Sequence, residues 1–562
     1  MKAKFVKQIS LLLVFSFIAL RVSYGQDITH FKKNKTSFHG NLSATTIFYH
    51  TNGLTQRKPS FSYILGGNFT LSLKGFIFPF SFTYSDQNKS FRQPFNHYGV
   101  SPQWKWIKIH LGYRNINFSK YVLGGHTILG AGLELTPGLF RFGVVYGRIQ
   151  RKTNQASSIY NPISDTITSF TRKMISFKVG IGNRNNYFDF IVLRAADDST
   201  SINPSVKETG KFPATNLVTG INTHLALTPT LYFEAEAAYS VYTENQNSDI
   251  AFEVPDFVNK VIPVNLSSKV FLAVRALLEY RNKKGLKFSL KYRRIDPGYK
   301  SMGSYFINND LENITFNTGF AALKRKLRFN GSIGLERNNL KTARNATTKK
   351  VIGSAMVSYD PIRQFGITFN YSNYSINQQA GRIQIADSVK LYQTNGTIMI
   401  MPHVQLMSKD NKLSHFFSLV FTRMNLNDKN IYTGNNNSFT TINNMINYTV
   451  SVIPIGLSVT TAFNYNKVNM SIGNSINTGG SIGISKSFLK NKITTGFNTN
   501  ITQSKNEQQT YLVFNTGLNG RIRLGKRHQF RIKISFISSK DKTNSVQNSN
   551  EQIGDLSYVF TF

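Results

Sequence analysis

Along most of this chain, apolar and polar side chains alternate one for one. Leu286, Phe288, Leu290 and Tyr292 share one parity, with Lys287, Ser289, Lys291 and Arg293 between them. Phe530, Ile532, Ile534 and Phe536 alternate with Arg531, Lys533 and Ser535. Leu512, Phe514, Leu518, Ile522 and Leu524 hold the parity opposite to Asn515, Asn519, Arg521 and Arg523. A helical stripe recurs every third or fourth residue and would not set a polar residue between every two apolar ones. The pattern predicts strands, each with an oily face and a wet face.

Hairpin register tests that reading. Pro137-Gly138 suits the centre of a type II turn, because proline fixes φ and glycine tolerates φ > 0. A two-residue loop there sets Leu135 opposite Phe140 and Glu134 opposite Arg141. A five-residue loop Arg281–Gly285 sets Tyr280 against Leu286 and Glu279 against Lys287. A three-residue loop around Gly525 sets Ile522 against Phe530. Each loop length makes both faces agree, as cross-strand pairing requires. Glu134 with Arg141, and Glu279 with Lys287, are therefore expected ion pairs on the wet face.

Eight further short turns are expected near Lys74-Gly75, Asn183–Asn186, Pro229, Lys324–Lys326, Asp360-Pro361, Asp410-Asn411, Pro454 and Lys490-Asn491. Longer polar loops separate the hairpins, at roughly 151–168, 196–215, 243–266, 297–312, 339–348, 377–390 and 427–437. Eleven short turns join two strands each, and a first strand near 38–50 and a last strand at the C-terminus stand outside these pairs. The total is about 24 strands.

One region breaks the count. Between Lys74 and Pro137 an even number of strands is required, yet three are visible, at about 76–86, 104–114 and 127–136. The stretch Phe91–His126 holds both tryptophans, Trp104 and Trp106, and three of the ten histidines, His97, His110 and His126. It reads either as ordinary wall with interfacial aromatics or, within 87–126, as a segment folded inward to constrict or plug. No ligand spacing joins the three histidines into a metal site.

The chain ends carry separate information. Lys2, Lys4 and Lys7 precede an apolar run from Ile9 to Leu20, and Ser23 and Gly25 fit the small-residue positions of a secretory cleavage site. The expected organisation is a cleaved signal peptide 1–25, a short periplasmic segment 26–37 and one barrel over 38–562. Downstream of the signal no apolar run approaches the roughly 20 residues of a membrane helix. The chain has no cysteine, which excludes disulfides, a thiolate metal site and a lipoprotein anchor. A hydrophobic content of 40% with mean hydropathy −0.24 suits a wall half facing lipid and half facing water.

At the other end Leu556, Tyr558, Phe560 and Phe562 fall on one face of a terminal strand. Asp555, Ser557, Phe560 and Phe562 resemble the C-terminal assembly signal of outer-membrane β-barrels, with serine where glycine is usual. The resemblance covers essentially the whole mature chain, and its Asn- and Lys-rich composition resembles envelope proteins of Bacteroidota. It implies an all-β fold, a transmembrane antiparallel β-barrel in the cell outer membrane with short periplasmic turns and longer extracellular loops. It also implies outer-membrane lipid, lipopolysaccharide and the barrel-assembly machinery as partners, the last reading Tyr558, Phe560 and Phe562. The chain departs from TonB-dependent transporters, which carry a large plug domain before the barrel, because its strand pattern begins soon after Gln26.

Charge adds the remaining constraint. The chain carries a net +40, and the expected signal holds four basic residues and no acidic one, leaving +36. A lysine or arginine at mid-depth on a lipid face costs about 2–4 kcal/mol, so the cations belong in lumen, loops and turns. The alternation assigns Arg141, Lys287, Lys291, Arg293, Arg521, Arg523, Arg531 and Lys533 to the lumen, with Arg521 directly opposite Arg531. Such a lumen attracts anionic solutes or an acidic protein segment; the plainer reading pairs the charge with lipid A and the few acidic side chains. The dispersed cations do not form a nucleic-acid stripe.

Nothing points to catalysis. The sequence lacks a G-x-S-x-G elbow, an H-E-x-x-H, a phosphate loop and an EF-hand spacing. Neither an enzymatic activity nor a cofactor is expected. Two functions remain: a channel or translocation-associated pore with a basic lumen, or a structural barrel that docks an envelope complex without transport.

Overall fold

The computed structural model describes residues 36–86, 96–153, 169–202, 212–249, 262–304, 307–380, 390–430, 432, 437–471, 473–543 and 548–562. The expected signal peptide and the segment 26–35 lie outside them. The strands, in chain order, begin with β1 Ser37–Asn52, β2 Phe61–Leu73, β3 Phe76–Ser85, β4 His97–Val100, β5 Gln103–Trp104, β6 Ile107–Asn115, β7 Thr127–Leu135, β8 Phe140–Gln150 and β9 Arg172–Gly182. They continue with β10 Tyr187–Asp197, β11 Thr215–Ala226, β12 Leu231–Thr243, β13 Ser268–Arg281, β14 Lys287–Ile295, β15 Leu311–Ala322, β16 Leu327–Arg337, β17 Ala346–Ile362 and β18 Phe365–Ala380. The last nine are β19 Tyr392–Met407, β20 Leu413–Asp428, β21 Phe439–Val452, β22 Leu457–Met470, β23 Gly473–Phe488, β24 Ile493–Lys505, β25 Thr510–Leu524, β26 His528–Asp541 and β27 Ser549–Thr561.

Each strand pairs antiparallel with its sequence neighbours, and β1 closes on β27 from Asn41↔Thr561 to Asn52↔Asn550. Backbone bonds of 2.9 and 3.0 Å between Gly40 and Phe562 lock the seam, and the Phe38 and Phe562 rings stack there at 4.5 Å. Closure removes both free edges.

The ring has 26 positions rather than the 24 expected, because β4 and β5 are two pieces of one wall position between β3 and β6. This extra position, joined to β6 by the turn at Lys105-Trp106, makes the number of strands between Lys74 and Pro137 even. Its pairing breaks at Ser101-Pro102, opposite Pro79 of β3. Proline has no N–H for the ladder, so the carbonyl of Pro79 accepts instead from the Ser101 amide at 3.0 Å and from the Arg114 guanidinium at 3.2 Å.

Register confirms some hairpins and moves others. Ile522 lies opposite Phe530 and Arg521 opposite Arg531, as the loop length at Gly525 requires. At Pro137 the loop is longer than expected: Leu135 meets Phe142 and Glu134 meets Gly143. The turn there closes from the Phe140 amide to the Pro137 carbonyl at 3.0 Å, with Gly138 at φ 61, so it is centred one residue later than the sequence suggests. At the β13–β14 turn Tyr280 meets Phe288 and Glu279 meets Ser289. The turn placed at Asp360-Pro361 is at 363–364, and a register shift between Tyr359 and Ile362 absorbs the difference. The displacements at Pro137 and at the β13–β14 turn are each of two residues, so no side chain there changes face.

The outward face carries an apolar band. Phe530, Ile532 and Ile534 of β26, Leu518 of β25, Phe188 and Phe190 of β10 and Ile333 of β16 are all exposed there. Among the described residues the one buried apolar cluster occupies the inward face of β7–β14 and two connections beside it.

Candidate functional site

Two connections turn into the barrel instead of away from it: 116–126 between β6 and β7, and the described residues 296–304 and 307–310 between β14 and β15. Ile116, Phe118, Tyr121, Val122 and Leu123 of the first, with Tyr299 and Met302 of the second, join one buried cluster. The wall supplies the rest from inward positions of β7 to β14, including Ile128, Val145, Met174, Ile191, Leu193 and Val218. These strands are buried on the side where an empty barrel would be wet. The cluster is a plug.

The two segments bind each other along short backbone contacts. The Gly124 amide donates to the Gly303 carbonyl at 2.9 Å, the Ser301 hydroxyl to the Val122 carbonyl at 2.7 Å and the Tyr299 hydroxyl to the Tyr121 carbonyl at 2.9 Å. Small residues permit the approach: a Cβ on Gly220 of the wall would sit 2.6 Å from Val122, and one on Gly303 would collide with Leu193. Burial, reinforced by Glu236, pushes the Tyr121 phenol up to about 12, so it stays neutral in the plug.

Polar anchors fix the plug to the wall. Glu236 of β12 is 4% exposed, and its carboxylate accepts from the Ser119 hydroxyl and from the Tyr121 amide at 2.9 Å. Asn216 of β11, fully buried, donates to Ser240 at 2.8 Å and to the Val241 carbonyl at 2.9 Å, while its oxygen accepts from the Met302 amide at 2.9 Å. The Ser240 hydroxyl then donates to the Lys300 carbonyl at 2.6 Å. A buried carboxylate and a buried amide with every stated partner in place make a stiff attachment.

Below the plug the wet face of β6–β14 is filled with ion pairs. Arg141 forms a two-pronged bridge to Asp189 at 2.7 and 2.9 Å, not the expected pair with Glu134, because the Pro137 turn displaces the register. Glu134 bonds instead to His110 at 3.0 Å and to Lys178 at 3.1 Å. Lys287 does meet Glu279, at 2.9 Å, by a diagonal contact. Arg275 bonds to Glu234 at 2.9 Å, and Arg293 lies 3.9 Å from Glu336.

Ser101, His110 and Glu134 form a row, with 3.0 Å from the Ser101 oxygen to His110 Nδ1 and 3.0 Å from His110 Nε2 to Glu134. The carboxylate can only accept, so Nε2 carries a proton, and in the neutral ring Nδ1 then accepts from the serine hydroxyl. The residue types are those of a hydrolytic triad. Ser101, however, is buried at the Pro79 break, where the row seals the interrupted wall. His97 and His126 do not join it. Trp104 stacks on Phe76 at 5.1 Å beside the short turn that follows β5.

Of the remaining sequence-assigned cations, Lys291 is on β14 near Lys120 of the plug, whereas Arg521, Arg523, Arg531 and Lys533 are on β25 and β26, away from the strands that carry it. Arg521 donates to Thr494 at 3.2 Å. Among the described residues Lys291, Arg521, Arg523, Arg531 and Lys533 have no carboxylate within 4.0 Å, although Lys533 is in register with Asp555. Around them the inward positions of β20–β26 are small and neutral, as in Asn443, Asn447, Asn466, Ser481, Asn498 and Asn500. A cavity of about 710 Å³ lies against β14–β20, lined by Lys287, Ser289, Asn317, Asn330, Ser332 and Asn370 among others.

The chain is loosely similar to solved barrels. A ferric enterobactin receptor of Pseudomonas aeruginosa, PfeA, shares 12% identity, covering 94% of this chain and 82% of that one at TM-score 0.42. The translocation pore of the P pilus usher PapC shares 10%, covering 93% and 99% at TM-score 0.39. OccAB2 of Acinetobacter baumannii shares 9%, covering 69% and 98% at TM-score 0.31. No protein-family profile matches, and no curated protein does. At these values no solute, partner or activity carries over.

Proposed function

We propose that this protein is an outer-membrane barrel whose partly plugged, basic lumen conducts anionic solutes or accepts an acidic polypeptide segment. One observation carries the reading: the buried plug covers β7–β14, while the described inward face of β16–β27 carries none of that cluster and presents small polar groups with unpaired cations. Barrels of 16–18 strands already enclose an aqueous channel, and a ring of 26 is wider. The outward apolar band supports the membrane placement, since a closed barrel satisfies every ladder bond without water. A second reading, a docking barrel without transport, is favoured by the firm anchoring of the plug.

Two experiments test this. Leu518 is exposed midway along β25, so Leu518→Arg is expected to cost about 2–4 kcal/mol in refolding into lipid vesicles, whereas the inward Asn519→Arg is expected to be tolerated. Equal effects would contradict the lipid-facing assignment. In planar bilayers the protein is expected to give anion-selective current, reduced when Arg521, Arg523, Arg531 and Lys533 are changed to glutamine. Electrical silence of an inserted barrel would leave the docking reading.

A further inference from the structure

The two rims of the barrel differ in charge. The twelve connections that follow β2, β5, β7, β9, β11, β13, β15, β17, β19, β21, β23 and β25 hold fifteen lysines and arginines and one acidic residue, Asp410. The connections at the opposite rim, apart from the two that turn inward, hold fifteen basic and ten acidic residues. The unbalanced loop charge is therefore concentrated on the short-turn rim, +14 against +5, away from the side where the sequence reading places lipid A.

We propose that this rim is a ring-shaped binding surface for the anionic headgroups of phospholipids in the leaflet it faces. The inference rests on the membrane reading above. The cations are distributed around the perimeter: nine of the twelve turns carry at least one. A protein docked at one point would need a patch, whereas a lipid annulus needs a ring.

The turns are also amphipathic. Leu323, beside Lys324, is 60% exposed, and Leu489, beside Lys490, is 68% exposed. Ile362 next to Arg363 and Leu524 near Lys526 repeat the arrangement, and the turns without a cation expose Leu139, Leu227 and Ile453. An apolar side chain entering the acyl boundary beside a cation at phosphate level is the chemistry of interfacial anchoring. Left-handed backbone at Lys324, Arg325 and Lys490, with φ of 56, 68 and 54, makes these turns tight. Lys412 pairs with Asp410 at 3.2 Å. Among the described residues Lys324, Arg325, Lys490, Lys492, Lys526 and Arg527 meet no carboxylate within the 4.0 Å of an ion pair.

The full-length protein, purified in mild detergent, is offered mixed micelles of phosphatidylethanolamine and phosphatidylglycerol, and bound lipid is counted by native mass spectrometry. Phosphatidylglycerol is expected to be enriched and to be released by salt. Changing Lys324, Arg325, Lys490, Lys492, Lys526 and Arg527 to asparagine, which tolerates left-handed backbone, is expected to lower that enrichment on the order of tenfold, since each cation near an anionic surface contributes a several-fold preference. The same change at Arg57, Lys58, Lys429 and Lys542 of the other rim is expected to leave it intact. Unchanged enrichment in the six-site variant, or an equal loss in the other-rim variant, would overturn the proposal. Both variants are first shown to remain heat-modifiable and inserted in vesicles; failure of the wild type to insert would instead defeat the membrane reading.

Discussion

Replacing Glu236 with leucine is expected to release the plug from the wall. The carboxylate holds Ser119 and the Tyr121 amide at the tip of the first inward segment. Hydrogen bonds to a charged group contribute about 1.5–3 kcal/mol each, and the leucine leaves the Tyr121 amide with only its longer bond to the Ser119 hydroxyl oxygen, at 3.2 Å. The cost falls on a segment that the chain ties to the wall only at its two ends, so local opening is favoured over global unfolding. The chain has no cysteine, so Val122→Cys, at a fully buried position, supplies a clean reporter. Maleimide labelling of Cys at 122 is expected to be slow in the parent and faster by an order of magnitude or more with Glu236→Leu, and channel conductance is expected to rise in parallel. Glu234→Leu, which removes a partner of Arg275 rather than of the plug, is expected to leave labelling slow. Equal labelling in all three would contradict the anchoring role of Glu236.

Removing the last strand is expected to abolish the barrel. β27 pairs with β26 from His528↔Phe560 to Ser539↔Ser549 and with β1 along its other edge. Deleting 549–562 leaves two free edges, and each unsatisfied backbone group in hydrocarbon costs several kcal/mol. No heat-modifiable species should survive. Changing Tyr558, Phe560 and Phe562 to serine keeps the ladder but removes the packing of Phe530 on Tyr558 and of Phe38 on Phe562, at 4.7 and 4.5 Å. That variant is expected to lose yield of folded barrel in cells more than stability in vitro, if the aromatics also act in assembly. Loss of both in equal measure would make their role purely structural.

The wall was legible in the sequence because period-two alternation is enforced at every residue by two different surroundings. Turns were less so, since a Pro-Gly pair marks a bend without fixing its centre. The Pro137 hairpin is displaced for that reason, and with it the pair expected between Glu134 and Arg141. The β4–β5 position escaped notice because Gly99 and Pro102 interrupt its alternation and its turn, Lys105-Trp106, contains neither glycine nor proline. The plug was half visible. Part of 87–126 was a candidate for inward folding, but 296–310 reads as an ordinary polar loop, and nothing local tells a loop which side of the wall to take. The usable signal was the alternation of Glu234 and Glu236 with alanines on β12: two carboxylates on the wet face of a basic barrel need partners there.

The proposed function requires a closed wall with one face in lipid and the other in an aqueous lumen. Spin labels on single cysteines placed at successive positions from 512 to 522 along β25 test it most directly, in protein reconstituted into vesicles. Labels at 514, 518 and 522 are expected to collide with oxygen dissolved in the bilayer, and those at 515, 519 and 521 with a water-soluble nickel reagent. Uniform access to the nickel reagent at both parities would contradict it.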